Sequence, residues 1–131
     1  MKIKPMRYKE HRTLEVLYKD TYRGYNYFII NYGTHPCAYV EIPKNHSYFK
    51  KSYMDIEDIE VHGGLTFSSD KLLLLDNSWF IGWDYAHYGD YVGFSPDIFG
   101  INDEEKKWTT EEIIDECISV INQLIEIKKE D

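Results

Sequence analysis

Side chains capable of catalysis or metal binding crowd into two short, glycine-rich segments of the sequence. The first covers residues 61–68 (VHGGLTFS), and the second covers residues 82–90 (GWDYAHYGD). Together they hold two histidines, two aspartates, a threonine and four glycines. Each segment adjoins an apolar run typical of a β-strand. We therefore predict that the fold brings the two segments together as one functional site.

A histidine oriented by an aspartate is a common arrangement for moving a proton near neutral pH. Within the two segments, His62 and His87 are the predicted acid and base, and Asp84 and Asp90 would orient their rings. Such a set would suit a hydrolase that acts on a phosphoester or a related bond. The chain has no GxSxG elbow and no local signature of a Cys/His protease. Histidines buried against backbone carbonyls are the structural alternative.

The same four side chains are candidate ligands for a divalent metal. Asp84, His87 and Asp90 are spaced by three residues, and His62 would approach from a neighbouring strand. A mixed nitrogen and oxygen set suits zinc, manganese or iron. The sequence has no HExxH motif, and Gly89 disfavours a regular helix at this position. The spacing therefore leaves open whether a metal cofactor is bound.

The neighbours of these side chains suit a pocket for a small polar ligand. Glycines leave backbone N–H groups open to a developing negative charge or a phosphate, although neither GxGxxG nor GxxxxGK is present. Tyrosines can stack on a nucleotide base or contact a partner protein. The predicted ligand-binding residues are Gly63, Gly64, Thr66, Tyr85, Tyr88 and His35, the last in a turn before a proline.

Composition indicates one domain, residues 1–131, with its own core. Hydrophobic residues make up 43% and aromatic residues 16%, which excludes a disordered chain and favours strands. We expect neither a membrane span nor a signal peptide, because no long apolar run occurs, and hence a cytoplasmic protein. Cys37 and Cys117 are far apart without a CxxC partner, which predicts two reduced, partly buried thiols.

The net charge of -8 is unevenly distributed. Residues 1–53 carry ten Lys/Arg against four Asp/Glu, whereas residues 54–131 carry five against nineteen. The acidic second half argues against general nucleic-acid binding, which needs clustered Lys and Arg. The basic half could pair with the acidic half or hold a phosphate. An acidic face could also act as a decoy that binds a basic protein.

Strand-like runs and turn residues predict a meander in the first third of the chain. Residues 13–19 and 25–31 would form a hairpin across the turn at 20–24, and residues 37–42 a third strand. Residues 44–60 are polar and tyrosine-rich, which indicates an irregular excursion with one helical turn. His46, within this excursion, is expected at the surface.

The middle of the chain predicts further strands. Residues 60–68 would form one, with a bulge at the glycine pair. Residues 71–76 and 79–83 would form a second hairpin, and residues 84–100 a loop.

The C-terminal part of the sequence predicts an amphipathic helix, residues 110–129. Thr109 and Glu112 have the spacing of a capping box, and apolar residues recur at helical intervals behind them. One long helix can cover one face of a sheet. The predicted fold class is therefore α+β, a mostly antiparallel sheet of five or six strands covered by one long C-terminal amphipathic helix.

Four pieces of the sequence together resemble a family of small proteins from bacteriophages and prophages of Gram-positive hosts. They are residues 35–43 (HPCAYVEIP), 53–56 (YMDI), 61–68 (VHGGLTFS) and 83–90 (WDYAHYGD). The resemblance implies an accessory role in the host cytoplasm, such as countering host defences, and brings no enzymatic activity with it. We expect such a protein to bind a small polar or nucleotide-like ligand. A hydrolase and an acidic decoy for a host protein are the alternatives.

Overall fold

The computed structural model describes residues 15–31, 35–85 and 108–130. The elements are β1 (Glu15–Tyr22), β2 (Tyr25–Asn31), β3 (Pro36–Glu41), β4 (Phe67–Ser69), β5 (Phe80–Asp84) and α1 (Thr110–Glu130). The five strands form one antiparallel sheet in the order β1-β2-β3-β5-β4, and helix α1 follows them. The predicted α+β fold is confirmed.

The first three strands form the predicted meander. Tyr22 pairs with Tyr25 across a two-residue turn in which Arg23 and Gly24 both have positive φ angles, of 50° and 87°. A turn with two such residues matches the twist of the flanking strands. β3 then pairs with β2, so that β2 lies between two neighbours and is almost entirely buried.

Helix α1 begins at the predicted capping box. The Glu112 N–H donates to Thr109 Oγ1 at 3.1 Å, and the Thr109 N–H donates to Glu112 Oε1 at 3.0 Å. The apolar stripe of the helix packs on the sheet face formed by Tyr27, Ile29, Val40 and other residues. The buried positions of the stripe are Ile113, Cys117, Val120, Ile121 and Leu124. Within the described residues, no helix is long and apolar enough to cross a membrane.

The opposite face of the sheet carries a second, smaller core. It is formed by Phe28, Ile30, Cys37, Tyr39, Leu72 and Phe80, with Phe67 at its edge. Cys37 therefore lies on the face opposite Cys117, and both are buried and free of a disulfide. The predicted free thiols are confirmed, and both are more deeply buried than the partial burial that we predicted.

Two predicted strands are wrong. Residues 60–66 form a turn and a loop, and only Phe67–Ser69 joins the sheet. Residues 71–76 do not pair with β5, because two backbone hydrogen bonds between Leu72 and Leu75, of 2.8 and 2.9 Å, close a tight turn within that run. β5 instead pairs with both β3 and β4. Of the four leucines in this run only Leu72 is buried, so the apolar run indicated neither a strand partner nor uniform burial.

The excursion at residues 44–60 contains the predicted single helical turn, at Tyr53–Asp55. The expected surface position of His46 is wrong, because only 3% of this residue is exposed. Its Nε2 lies 2.8 Å from the Leu124 carbonyl oxygen, and its Nδ1 accepts the Tyr48 N–H at 2.9 Å. Both ring nitrogens are satisfied by the neutral tautomer with hydrogen on Nε2. His46 thus ties the excursion to α1.

Candidate functional site

The glycine pair after His62 forms a tight reversal. The Gly64 N–H donates to the Val61 carbonyl at 2.9 Å, and Gly63 and Gly64 have φ angles of 73° and 80°. Two successive residues in the left-handed region favour glycine, because a Cβ atom would clash with the backbone there. The glycine pair therefore fixes the backbone turn from which the His62 side chain extends.

Hydrogen bonds hold this turn at both ends. Before it, the Glu60 N–H donates to Gln123 Oε1 at 2.7 Å, and Gln123 Nε2 donates to the Glu60 carbonyl at 2.8 Å. After it, the Thr66 N–H donates to the Gly82 carbonyl at 2.9 Å. The turn is thus attached to α1 on one side and to β5 on the other, so the helix and the sheet fix the position of His62.

His62 lies in a cluster of three aromatic rings. Its imidazole is stacked on the Tyr85 ring, with centroids 5.3 Å apart and an angle of 7° between the planes. The Trp108 ring lies 4.8 Å from both, tilted by 49° against His62 and by 53° against Tyr85. The two segments singled out from the sequence therefore do meet, at His62 and Tyr85.

Trp108 is a site residue that the sequence reasoning did not include. It stands directly before Thr109, the residue that caps α1. An apolar residue at this position often packs back against neighbouring structure and fixes how the chain enters the helix. The position before the capping box was therefore the available signal, and here the packing partners are His62 and Tyr85.

The hydroxyl of Tyr85 joins the cluster to the core. It donates to Glu116 Oε1 at 2.5 Å and accepts the Trp83 Nε1–H at 2.9 Å. Burial, reinforced by the bond to Glu116, raises the pKa of the Tyr85 phenol far above its usual 10.0. Tyr85 therefore serves as a fixed donor. Glu116 gives no sequence signal, because an acidic helix residue is usually solvated.

Asp84 belongs to a different group. Successive strand residues point to opposite faces, so Asp84 extends from the sheet face opposite Trp83 and Tyr85. Its Oδ2 lies 3.5 Å from Thr66 Oγ1, near the limit of a hydrogen bond. The described candidates thus fall into two groups, His62 with Tyr85 on the helix side and Thr66 with Asp84 on the other.

His35 lies at the same end of the sheet as these groups. It is half-buried and directly precedes Pro36, whose carbonyl accepts the Tyr85 N–H at 3.1 Å. The candidates His87, Tyr88 and Asp90 lie outside the described residues. The acid and base pair and the four-ligand metal site therefore stay predictions. Within the part of the chain that the structure describes, no three His, Cys, Asp or Glu side chains are grouped so as to hold a metal.

The site places the flat rings of Tyr85 and Trp108 beside the imidazole of His62, which has two polar nitrogens at its edge. Stacking suits a planar group, and the imidazole can donate or accept one hydrogen bond on each nitrogen. Comparisons with protein-family profiles, curated proteins and solved structures found no match.

Proposed function

We propose that the protein is a phage-type accessory protein of the host cytoplasm that binds a small polar, nucleotide-like ligand at the His62 site. The observation that carries the proposal is the stacking of His62 on Tyr85 at 5.3 Å, which joins the two glycine-rich segments. Countering a host defence would be the biological purpose, in keeping with the family resemblance.

The ring cluster supports a planar ligand. His62 and Trp108 are only half-buried, whereas the Tyr85 ring beneath them is buried. A base stacked on such a partly exposed ring gains about 1–3 kcal/mol, whatever its identity. Gly63 is exposed next to His62, and a glycine allows the backbone of a loop to come close to a phosphate or ribose.

The anchoring of the site supports binding more than catalysis. The Tyr85 hydroxyl is engaged with Glu116 and Trp83, so it is not placed to exchange protons with a substrate. The paired bonds between Glu60 and Gln123 hold the turn in place before any ligand arrives. A preformed site saves the entropy of ordering a loop, which increases affinity. The hydrolase alternative additionally requires a second acid or base beside His62.

Tryptophan fluorescence offers a direct test, because Trp108 is part of the cluster. Adenosine, AMP, GMP, CMP, UMP and cyclic AMP are titrated into the full chain. At least one should quench the fluorescence with a Kd of about 1 mM or tighter. His62→Ala should weaken that binding at least about tenfold, whereas His62→Phe, which keeps a stacked ring, should weaken it less.

Glu57→Gln, a change at an exposed position outside the cluster, is the matched control and should bind as the unmodified chain does. Absence of quenching by every probe at about 1 mM would contradict the proposal. Hydrolysis of bis(4-nitrophenyl) phosphate that disappears in His62→Ala would favour the hydrolase instead. Nucleotide binding that is equal in all variants would place the ligand elsewhere.

A further inference from the structure

A cleft with a volume of about 350 Å³ opens on the sheet face opposite α1. Known small-molecule sites begin at about this size. The cleft lies over β1, β2 and β3, and the Leu72–Leu75 turn forms one wall. The side chains that matter for its chemistry are Lys19, Thr21, Asn26, Phe28, Glu41 and Leu75.

This cleft is distinct from the His62 site. Glu41 pairs with Phe80 at the start of β5, whereas Cys37 pairs with Asp84 at its end. Four residues of strand separate the two positions, which is about 14 Å. The two sites also lie on opposite faces of the sheet, so a change in one leaves the other intact.

A hydrogen-bonded row forms the polar end of the cleft. Thr21 Oγ1 donates to Asn26 Oδ1 at 2.6 Å, and Asn26 Nδ2 donates to Glu41 Oε1 at 3.1 Å. The row fixes the Glu41 carboxylate while using only one of its oxygens. Among the described residues, no donor is bonded to Glu41 Oε2. That oxygen can accept a hydrogen bond from a ligand.

Lys19 supplies the opposite charge. It pairs with Phe28 across the strands, one row further along the same face. No carboxylate of the described residues forms an ion pair with its ammonium group. Asp20 also lines the cleft, but it pairs with Tyr27 of the helix-side core, so its carboxylate extends towards the other face of the sheet. There it accepts the Thr21 N–H at 2.7 Å and the Tyr18 hydroxyl at 3.1 Å. The charged side chains on the cleft's own face of the sheet are therefore Lys19 and Glu41.

Beside these charges the cleft is apolar. The Phe28 ring, nearly buried, forms part of the floor, and the half-exposed Leu75 side chain stands over it. A singly charged cation would be repelled by Lys19, and a singly charged anion would be repelled by Glu41. A neutral ligand would leave both charges without a partner. Burying charges near a ligand is favourable only when they are paired.

We propose that this cleft binds a small zwitterion with an apolar body, namely a free amino acid with a large apolar side chain. Its ammonium group lies against Glu41, its carboxylate against Lys19, and its side chain between Phe28 and Leu75. This binding goes beyond the proposed nucleotide site and does not depend on it.

Isothermal titration calorimetry on the full chain tests the proposal with L-leucine and L-phenylalanine as probes. Isoamylamine and 4-methylpentanoate, which each keep one charge of leucine, are the comparison ligands. At least one amino acid should bind, and each comparison ligand should bind at least about tenfold more weakly. Glu41→Gln keeps an oxygen that accepts from Asn26 but removes the negative charge. Lys19→Met keeps an unbranched apolar chain but removes the positive charge. Each variant should bind the amino acid about tenfold more weakly than the unmodified chain does.

Lys44→Met and Glu57→Gln remove one charge of each sign at exposed positions outside the cleft, and both should bind as the unmodified chain does. His62→Ala should also leave this binding unchanged. Three results would overturn the proposal: no binding of either amino acid at about 10 mM, equal binding of a singly charged analogue, or unchanged binding in both Lys19→Met and Glu41→Gln.

Discussion

The imidazole of His62 lies parallel to the phenol ring of Tyr85, with 5.3 Å between the ring centroids. This stack connects a surface turn to the interior, because the Tyr85 hydroxyl is bonded to both Trp83 and Glu116. The orientation of the half-exposed histidine therefore depends on a buried hydrogen-bond network.

Tyr85→Phe should destabilise the protein by about 1–3 kcal/mol, because it leaves the Trp83 N–H and the Glu116 carboxylate without their buried partner. Urea denaturation measures the change in free energy of unfolding. Tyr18→Phe is the matched control, since its hydroxyl bonds to Asp20 at the exposed edge of the sheet and its loss should cost no more than about 0.5 kcal/mol. Equal losses of unfolding free energy in the two variants would contradict the predicted stabilisation by the Tyr85 hydrogen bonds.

Alkaline pH should lower the free energy of unfolding, because two buried side chains ionise less readily in the folded chain than in the unfolded chain. Burial raises the pKa of Cys37 from 9.0 to about 11 and the pKa of Tyr27 from 10.0 to about 12. In the unfolded chain both groups ionise at their ordinary values, while the folded chain holds them neutral. Their contribution to stability is thus complete below about pH 9 and is lost as the pH rises towards 11 and 12.

Urea denaturation at about pH 8, 9.5 and 11 checks this slope. Cys37→Ala combined with Tyr27→Phe removes both ionisable groups, and its free energy of unfolding should fall less steeply between these pH values. A double variant that loses stability as steeply as the unmodified chain would assign the effect to other groups.

Gly82→Ala should be among the most damaging small substitutions. A Cβ atom at this position would lie 2.5 Å from Tyr39 Cδ1 and 2.8 Å from the Ala38 carbonyl oxygen. The carbonyl belongs to the β3 ladder and cannot move away without loss of strand pairing, so we expect a cost of about 1–3 kcal/mol. Thermal unfolding gives the measurement, and Ser47→Ala at an exposed position should change little.

Leu73→Asn should stabilise the protein. Leu73 has a φ angle of 58°, a left-handed conformation that costs an ordinary residue about 1–2 kcal/mol and that asparagine tolerates better. The change should therefore raise the midpoint of thermal unfolding. Leu74→Asn is the control, because Leu74 has no positive φ and is 99% exposed. A larger gain from Leu74→Asn than from Leu73→Asn would contradict the argument.

Elements with local signals were predictable from the sequence. The capping box at Thr109 and Glu112 forms both of its hydrogen bonds, and α1 follows it as expected. The hairpin of β1 and β2 likewise depends on turn residues next to each other in the chain. Such features need only a few neighbouring residues, so their physics is contained in short stretches of sequence.

The candidate site was only partly predictable. The glycine pair indicates a special backbone, but the same pattern suits a bulge within a strand or a turn between elements. In the structure the glycine pair forms a turn, and the Gln123 side chain holds the backbone before it by hydrogen bonds to Glu60, 63 residues away in the sequence. Interactions over such separations leave no trace in local composition.

Sequence alone therefore determined the hairpin of β1 and β2, the capped helix α1 with its apolar stripe, and the two segments that carry polar chemistry. Only the tertiary structure decided that His62 meets Tyr85 and Trp108, while Asp84 extends from the other face of the sheet. The physical reason is that local backbone preferences fix periodicity within a segment. Which segments meet depends on the packing of the whole sheet against α1.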